Sequence, residues 1–432
     1  VRIFFSVGEP SGDLHASNLI RHFKSQDPSI ECVGYGGPKM RAAGCELHYE
    51  LTQLAVMFVL EALRNISTFL RLANKAETYF KTHHVDAVVL IDYPGFNWWI
   101  AKRARKQGIP VFFYGVPQMW AWGPWRIKKI RKWVDHVLCK LPFEVDWFRQ
   151  RNCQATYVGH PFFDQLATQT YDRLFLADCK RPNQFLLTLL PGSRNHEVEQ
   201  NLPMLLSAAR IVQREVPNVK VAVACYNQRH YEIAAEQIGE NPSQIELHVD
   251  RTPELMKSAD ACLACSGSVS LELLYHRKPT VIVYKTSAWL MLIQAFVLRI
   301  KFITLVNLLG TNDIRRTSWR VYDPDAAPAV AAVMPEYLTN EDRSAGIARH
   351  VVTWFQNPET AAAKVDELDR LARTYALPGA TSRAAEYILN SLNTDLSYRR
   401  LHPNEVPAYD TLALDAAAES GFGEQTWEEK AA

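Results

Sequence analysis

Four loops carry side chains whose types and spacing could do chemistry. Gly8-Glu9-Pro10-Ser11-Gly12-Asp13 sets two carboxylates and two glycines directly after the apolar run Ile3-Phe4-Phe5. A strand, a turn of small residues and a helix place backbone N–H groups at a sheet edge, where α/β proteins bind ligands. Glu9 and Asp13 would repel a phosphate but suit sugar hydroxyls, so Ser11, Asp13 and their neighbours read as polyol contacts. Helix capping alone accounts for Ser11 and Asp13 but leaves Glu9 without a role. In Leu90-Ile91-Asp92-Tyr93-Pro94-Gly95-Phe96-Asn97 a carboxylate ends an apolar strand. Asp92 can serve there as general base on an acceptor hydroxyl, with Asn97 positioning the substrate. An ordinary turn-initiating Asp near a proline fits the same residues.

The other two loops are suited to anions. Leu190-Pro191-Gly192-Ser193-Arg194 opens a helical pattern with a cation beside Ser193, an arrangement that suits a diphosphate. Ser266-Gly267-Ser268-Val269-Ser270-Leu271-Glu272 again follows a strand directly. Gly267 permits close backbone approach, Ser266 and Ser268 offer hydroxyls, and Glu272, one turn on, can accept from a ribose hydroxyl. Two such loops in one domain favour a nucleoside-diphosphate site. No GxGxxG or GxxxxGK[ST] pattern is present, which argues against dinucleotide cofactors and ATP hydrolysis.

These loops need parallel strands to hold them. Apolar runs at Ile3–Val7, Glu31–Tyr35, Ala87–Ile91, Val111–Tyr114, His136–Cys139 and Ala155–Val158 form one series. A second runs through Phe185–Leu190, Val219–Ala224, Ile245–Val249, Ala261–Cys265 and Thr280–Tyr284. Most spacers are long enough for crossover helices, so two doubly wound α/β domains facing across a cleft are expected. The first is expected over residues 1–165 and the second over 183–390, with a hinge between them. Residues 395–432 read as a weakly ordered tail.

At 432 residues the chain exceeds a single core, and 48% hydrophobic with 22% charged residues fits a globular protein. A net charge of +2 gives no support to nucleic-acid binding. The eight cysteines are scattered with no secretory signal before them, so reduced thiols in the cytoplasm are expected. Cys262-Leu-Ala-Cys265 reads as buried strand, and no metal ligands are assigned. No apolar run is long enough to span a bilayer. Between Tyr93 and Val134 there is no Asp or Glu, but nine Lys or Arg and six of eleven tryptophans. That stretch suits an anionic membrane surface, with nucleic acid as a competing reading and buried tryptophan beneath a solvated basic helix as the plain one. The apolar run Leu54–Leu63, including Met57, suits a membrane interface or an ordinary core helix.

Taken together, GEPSGD (8–13), GGPKM (36–40), LAVMFVLE (54–61), IDYPGFN (91–97), QMWAW (118–122), LPFE (141–144), VGHP (158–161), LLPGSR (189–194), SGSVSLE (266–272) and VNLLG (306–310) resemble the lipid-A-disaccharide synthase family. The resemblance implies a glycosyltransferase-B fold and an inverting, metal-independent enzyme that uses no cofactor. It also implies a UDP-2,3-diacylglucosamine donor and a 2,3-diacylglucosamine 1-phosphate (lipid X) acceptor. By the same likeness Asp92 and Glu9 are the catalytic acids, and Arg194 and Asn307 surround the donor. Met57, Trp120 and Trp122 fall in acceptor- or lipid-facing segments. The family's place on the cytoplasmic face of the inner membrane, and a homodimer, follow as expectations. Two departures stand out: Gly95 replaces a frequent second acid, and Gly123-Pro124 follows the WAW element.

Overall fold

In the computed structural model the described residues are 1–55, 66–239, 245–316, 322–325 and 332–401. They form two α/β units, each built on one wholly parallel sheet. The first sheet comprises β1 (Arg2–Val7), β2 (Glu31–Gly36), β3 (Glu46–Glu50), β4 (Ala87–Ile91), β5 (Val111–Tyr114), β6 (His136–Cys139) and β7 (Ala155–Tyr157), in the order 3-2-1-4-5-6-7. The second comprises β8 (Phe185–Leu190), β9 (Val219–Cys225), β10 (Ile245–Val249), β11 (Ala261–Cys265), β12 (Thr280–Lys285) and β13 (Glu336–Thr339), in the order 10-9-8-11-12-13.

Every strand read from the sequence is present, and the central strands are buried along nearly their whole length. Helices on both faces remove the polar–apolar alternation, so these strands read as continuous apolar runs. Two strands escaped the sequence reading. β3 is an edge strand with mixed exposure, and the four-residue β13 begins with the buried Glu336.

The order of each sheet reverses once, between β1 and β4 and between β8 and β11. At such a switch point the flanking loops diverge and leave a crevice beyond the strand ends. Val7 is level with Ile91, and Leu190 with Ala264. The Glu9 and Asp92 loops therefore leave neighbouring strands at one switch point, and the Arg194 and Ser266 loops at the other.

The unit boundaries differ from those expected. The first unit holds residues 1–117, 125–159 and those from Gly379 onward; the second holds 118–124 and 160–378. The stretch 165–183 is no hinge. It contains the helix Arg173–Asp178 and belongs wholly to the second unit. Nor does the second unit extend to 390. Ala384, Ala385, Ile388 and Leu392 of the helix Ala380–Leu401 lie in the first unit's core, with Phe5, Leu19 and Phe23. Their spacing gives that helix one apolar stripe, which the first core buries. The backbone is helical as far as Leu401, so the expected tail begins as helix, and 402–432 lie outside the described residues.

Ile388 is fully buried. Replacing Ile388 with Ala should destabilise the first unit by about 2–5 kcal/mol, read from urea unfolding followed by intrinsic fluorescence.

Candidate active site

In the first unit the site is built around the turn that ends β4. Asp92 and Tyr93 are both left-handed, with φ of 46° and 42°. Two successive non-glycine residues in this region cost on the order of 1–3 kcal/mol each and need external support. Asn97 supplies it. Its Nδ2 donates to the carbonyls of Asp92 (2.7 Å), Ser6 (3.2 Å) and Ile91 (3.3 Å), and its Oδ1 accepts from Ser6 Oγ at 2.7 Å. Asn97 is fully buried. Where a substrate-positioning role was expected, its amide is spent on shaping the turn.

Asp92 projects beyond the sheet into space left by glycines. A Cβ on Gly12 would lie 3.6 Å from Asp92 Oδ2, and one on Gly115 only 2.9 Å from Oδ1. Lys140 Nζ lies 3.5 Å from Oδ1, with both side chains about one-fifth exposed. Sequence reasoning passed over Lys140, although it directly follows β6 and precedes the LPFE segment. Glu9 is the N-cap residue of the helix Pro10–Gln26, yet its side chain makes no cap hydrogen bond. Although Glu9 is solvent-facing overall, partial burial of its carboxyl and the charge of Asp92 raise its pKa, and Lys140 opposes the shift. Gly95 has open space where a side chain would stand.

Asp13 also turns away from the ligand role read for it. Its Oδ1 accepts from the amides of Gly37 (3.1 Å) and Met40 (3.0 Å), and its Oδ2 from that of Lys39 (3.0 Å). Only 2% exposed, Asp13 caps the helix Pro38–Ala42 and joins the GEPSGD and GGPKM segments. Ser11 remains exposed in the loop.

In the second unit Glu197 occupies the turn assigned to an anion. Its Oε2 accepts from the amides of Ser193 (2.9 Å) and Arg194 (3.2 Å), and its Oε1 from Arg194 Nη1 (3.0 Å). The turn is thus closed by its own helix. Arg194 nevertheless leaves 73% of its side chain exposed. At the next loop Ser270 Oγ donates to the Gly267 carbonyl at 2.9 Å, while Ser266, Gly267 and Ser268 face outward to differing degrees. Glu272, in the first turn of the helix Val269–Tyr275, has a buried Oε1 with no hydrogen-bond partner. Burial pushes its carboxyl up to about 7.

Asn307, expected near the donor, is turned inward. Its Nδ2 donates to the Met334 carbonyl (2.8 Å) and Glu336 Oε2 (3.0 Å), and its Oδ1 accepts from the Met334 amide (2.8 Å). At 1% exposure it braces the segment before β13.

Trp120 is buried and Trp122 is exposed, and both belong to the second unit, where the Ala121 carbonyl accepts from the Arg299 amide at 3.0 Å. Met57 and the rest of 56–65 lie outside the described residues. All eight cysteines are free and buried, Cys262 and Cys265 within β11. Among the described residues no three His, Cys, Asp or Glu gather at metal-binding range, and no helix is long and apolar enough to cross a membrane.

A family model described as lipid-A-disaccharide synthetase matches residues 3–345. The chain is 33% identical to a lipid-A-disaccharide synthase of Coxiella burnetii over 346 residues, 79% of this chain and 89% of that one. It is 31% identical to one of Syntrophus aciditrophicus over 385 residues, 89% and 96% of the two chains. A solved structure of a putative UDP-N-acetylglucosamine 2-epimerase from Listeria monocytogenes superposes with a TM-score of 0.59 at 11% identity, covering 94% of this chain and 98% of that one. The calicheamicin glycosyltransferase CalG4 gives 0.55 at 14%, covering 91% and 98%. The shared fold is glycosyltransferase-B.

A carboxyl raised in the folded state stabilises the fold most below its unfolded value, and that contribution is lost as pH rises through the folded value. For Glu272 the loss should fall between the ordinary carboxylate range and about pH 7. Melting temperatures should therefore match for wild type and Glu272→Gln near pH 4, with the variant the more stable at pH 8. A variant that declines as steeply as wild type would place the effect on another group.

Proposed function

The chain belongs to the lipid-A-disaccharide synthetase family, and we propose that Asp92 is the base of the transfer reaction. As a lipid-A-disaccharide synthase the protein is a UDP-sugar glycosyltransferase. It joins 2,3-diacylglucosamine from UDP-2,3-diacylglucosamine to 2,3-diacylglucosamine 1-phosphate. The products are the β-1,6-linked disaccharide 1-phosphate and UDP, formed with inversion and without a metal ion.

One observation carries the base assignment: a carboxylate raised past the end of β4 on a supported left-handed turn, with Oδ2 directed at the Glu9 loop. Asp92 accepts the proton of the acceptor 6-hydroxyl as that oxygen attacks the anomeric carbon. Glu9, its pKa raised, holds acceptor hydroxyls beside it. In the second unit Arg194 and the outward Ser266–Ser268 turn stabilise the charge that grows on the departing diphosphate. The unpartnered Oε1 of Glu272 accepts from the donor ribose.

The membrane role rests on the first unit's surface. Trp125, Ile66 and Leu70 are exposed apolar groups, and Lys102, Lys106, Lys128, Lys129, Arg131 and Lys132 are exposed cations. This chemistry suits the anionic inner face of the inner membrane, from which both acylated substrates are drawn. The homodimer is carried by family likeness alone.

Asp92→Asn, folded as judged by circular dichroism, should lose about 10²–10⁴ in turnover, with UDP and disaccharide followed by mass spectrometry. Near-normal turnover would remove Asp92 from the role. Arg194→Ala should cost on the order of 10²–10³ in kcat.

A further inference from the structure

β6 ends at Cys139, and the next residue, Lys140, is fixed by its own backbone. Its amide and that of Leu141 both donate to Glu144 Oε2 at 3.0 Å, and Glu144 is 1% exposed. The LPFE segment thus anchors the start of the lysine stem at the end of the sheet. From there the stem must pass β5 to reach the end of β4. Gly115, directly after β5, leaves the opening. A Cβ there would sit 3.0 Å from Lys140 Nζ and 2.9 Å from Asp92 Oδ1, and its φ of 73° further disfavours a side chain.

We propose that Lys140 is a positioning residue for Asp92, holding Oδ1 through its ammonium so that Oδ2 alone faces the acceptor hydroxyl. The assignment rests on Asp92 as the base. Three groups on three elements face one another here: Glu9 after β1, Asp92 after β4 and Lys140 after β6, with Tyr93 beside them. Two carboxylates brought together disfavour each other's charged form, and a cation between them offsets that repulsion. The carboxyl of Glu9 is raised first by its partial burial and then by the charge of Asp92, with Lys140 opposing both. The lysine thereby fixes which oxygen of the base is offered, without touching a reacting atom.

The test compares Lys140→Met and Lys140→Arg with wild type in kcat and KM, using both acylated substrates. In Lys140→Met kcat should fall about tenfold with KM nearly unchanged, since the acceptor still binds but the base is no longer held in line. Lys140→Arg should recover most of kcat, since the charge survives. Gly115→Ala, which wedges a methyl between the pair, should lower kcat in the same way. A Lys140→Met kcat equal to wild type, or a loss carried by KM, overturns the proposal. Asp92→Asn run alongside separates the two readings. If it stays active the base assignment fails; if it is inactive and Lys140→Met keeps the wild-type kcat, only the lysine's role fails.

Discussion

The first unit's candidate site depends on one fully buried side chain, Asn97. A strand running straight into a helix would bury a carboxylate at its last residue. Here two left-handed residues break the path, and Asn97 holds them by donating to three carbonyls while accepting from Ser6. The energy stored in that turn is of the same order as the hydrogen bonds that oppose its relaxation. Asp92 therefore stands clear of the sheet, in a position that neither its own sequence neighbours nor helix propensity would produce.

The carboxylates of the molecule divide by how completely their oxygens are used. Asp13 and Glu336 each accept three N–H donors and fasten loops to helix starts. Glu197 closes its own turn. Glu9, Asp92 and Glu272 each keep at least one oxygen outside such networks. A buried carboxylate saturated by donors is scaffold. One desolvated but unsaturated has its affinity directed outward.

This division marks where the sequence ceased to be readable. The four loops were legible because an apolar strand, small residues and a helix start are local patterns, and because parallel sheets expose such loops at their switch points. Which polar residue in a loop reaches a ligand is decided by partners far along the chain. Asp13 is used up by amides at 37–40, and Asn307 by Met334 and Glu336. Lys140 escaped attention for the converse reason: its meeting with Asp92 spans 48 positions and passes over a glycine on a third strand. The unit boundaries failed similarly, since nothing within 380–401 says which of two cores its apolar stripe will join.

That last helix bears on how the protein is made. During synthesis the seven strands of the first sheet leave the ribosome before residue 160, yet one wall of their core is encoded more than two hundred residues later. Until Ala384–Leu392 emerge, Phe5, Leu19 and Phe23 lack part of their cover, and the nascent amino-terminal sheet must wait, partly open, while the whole second unit is translated. The first core is therefore completed only after the second unit has been made.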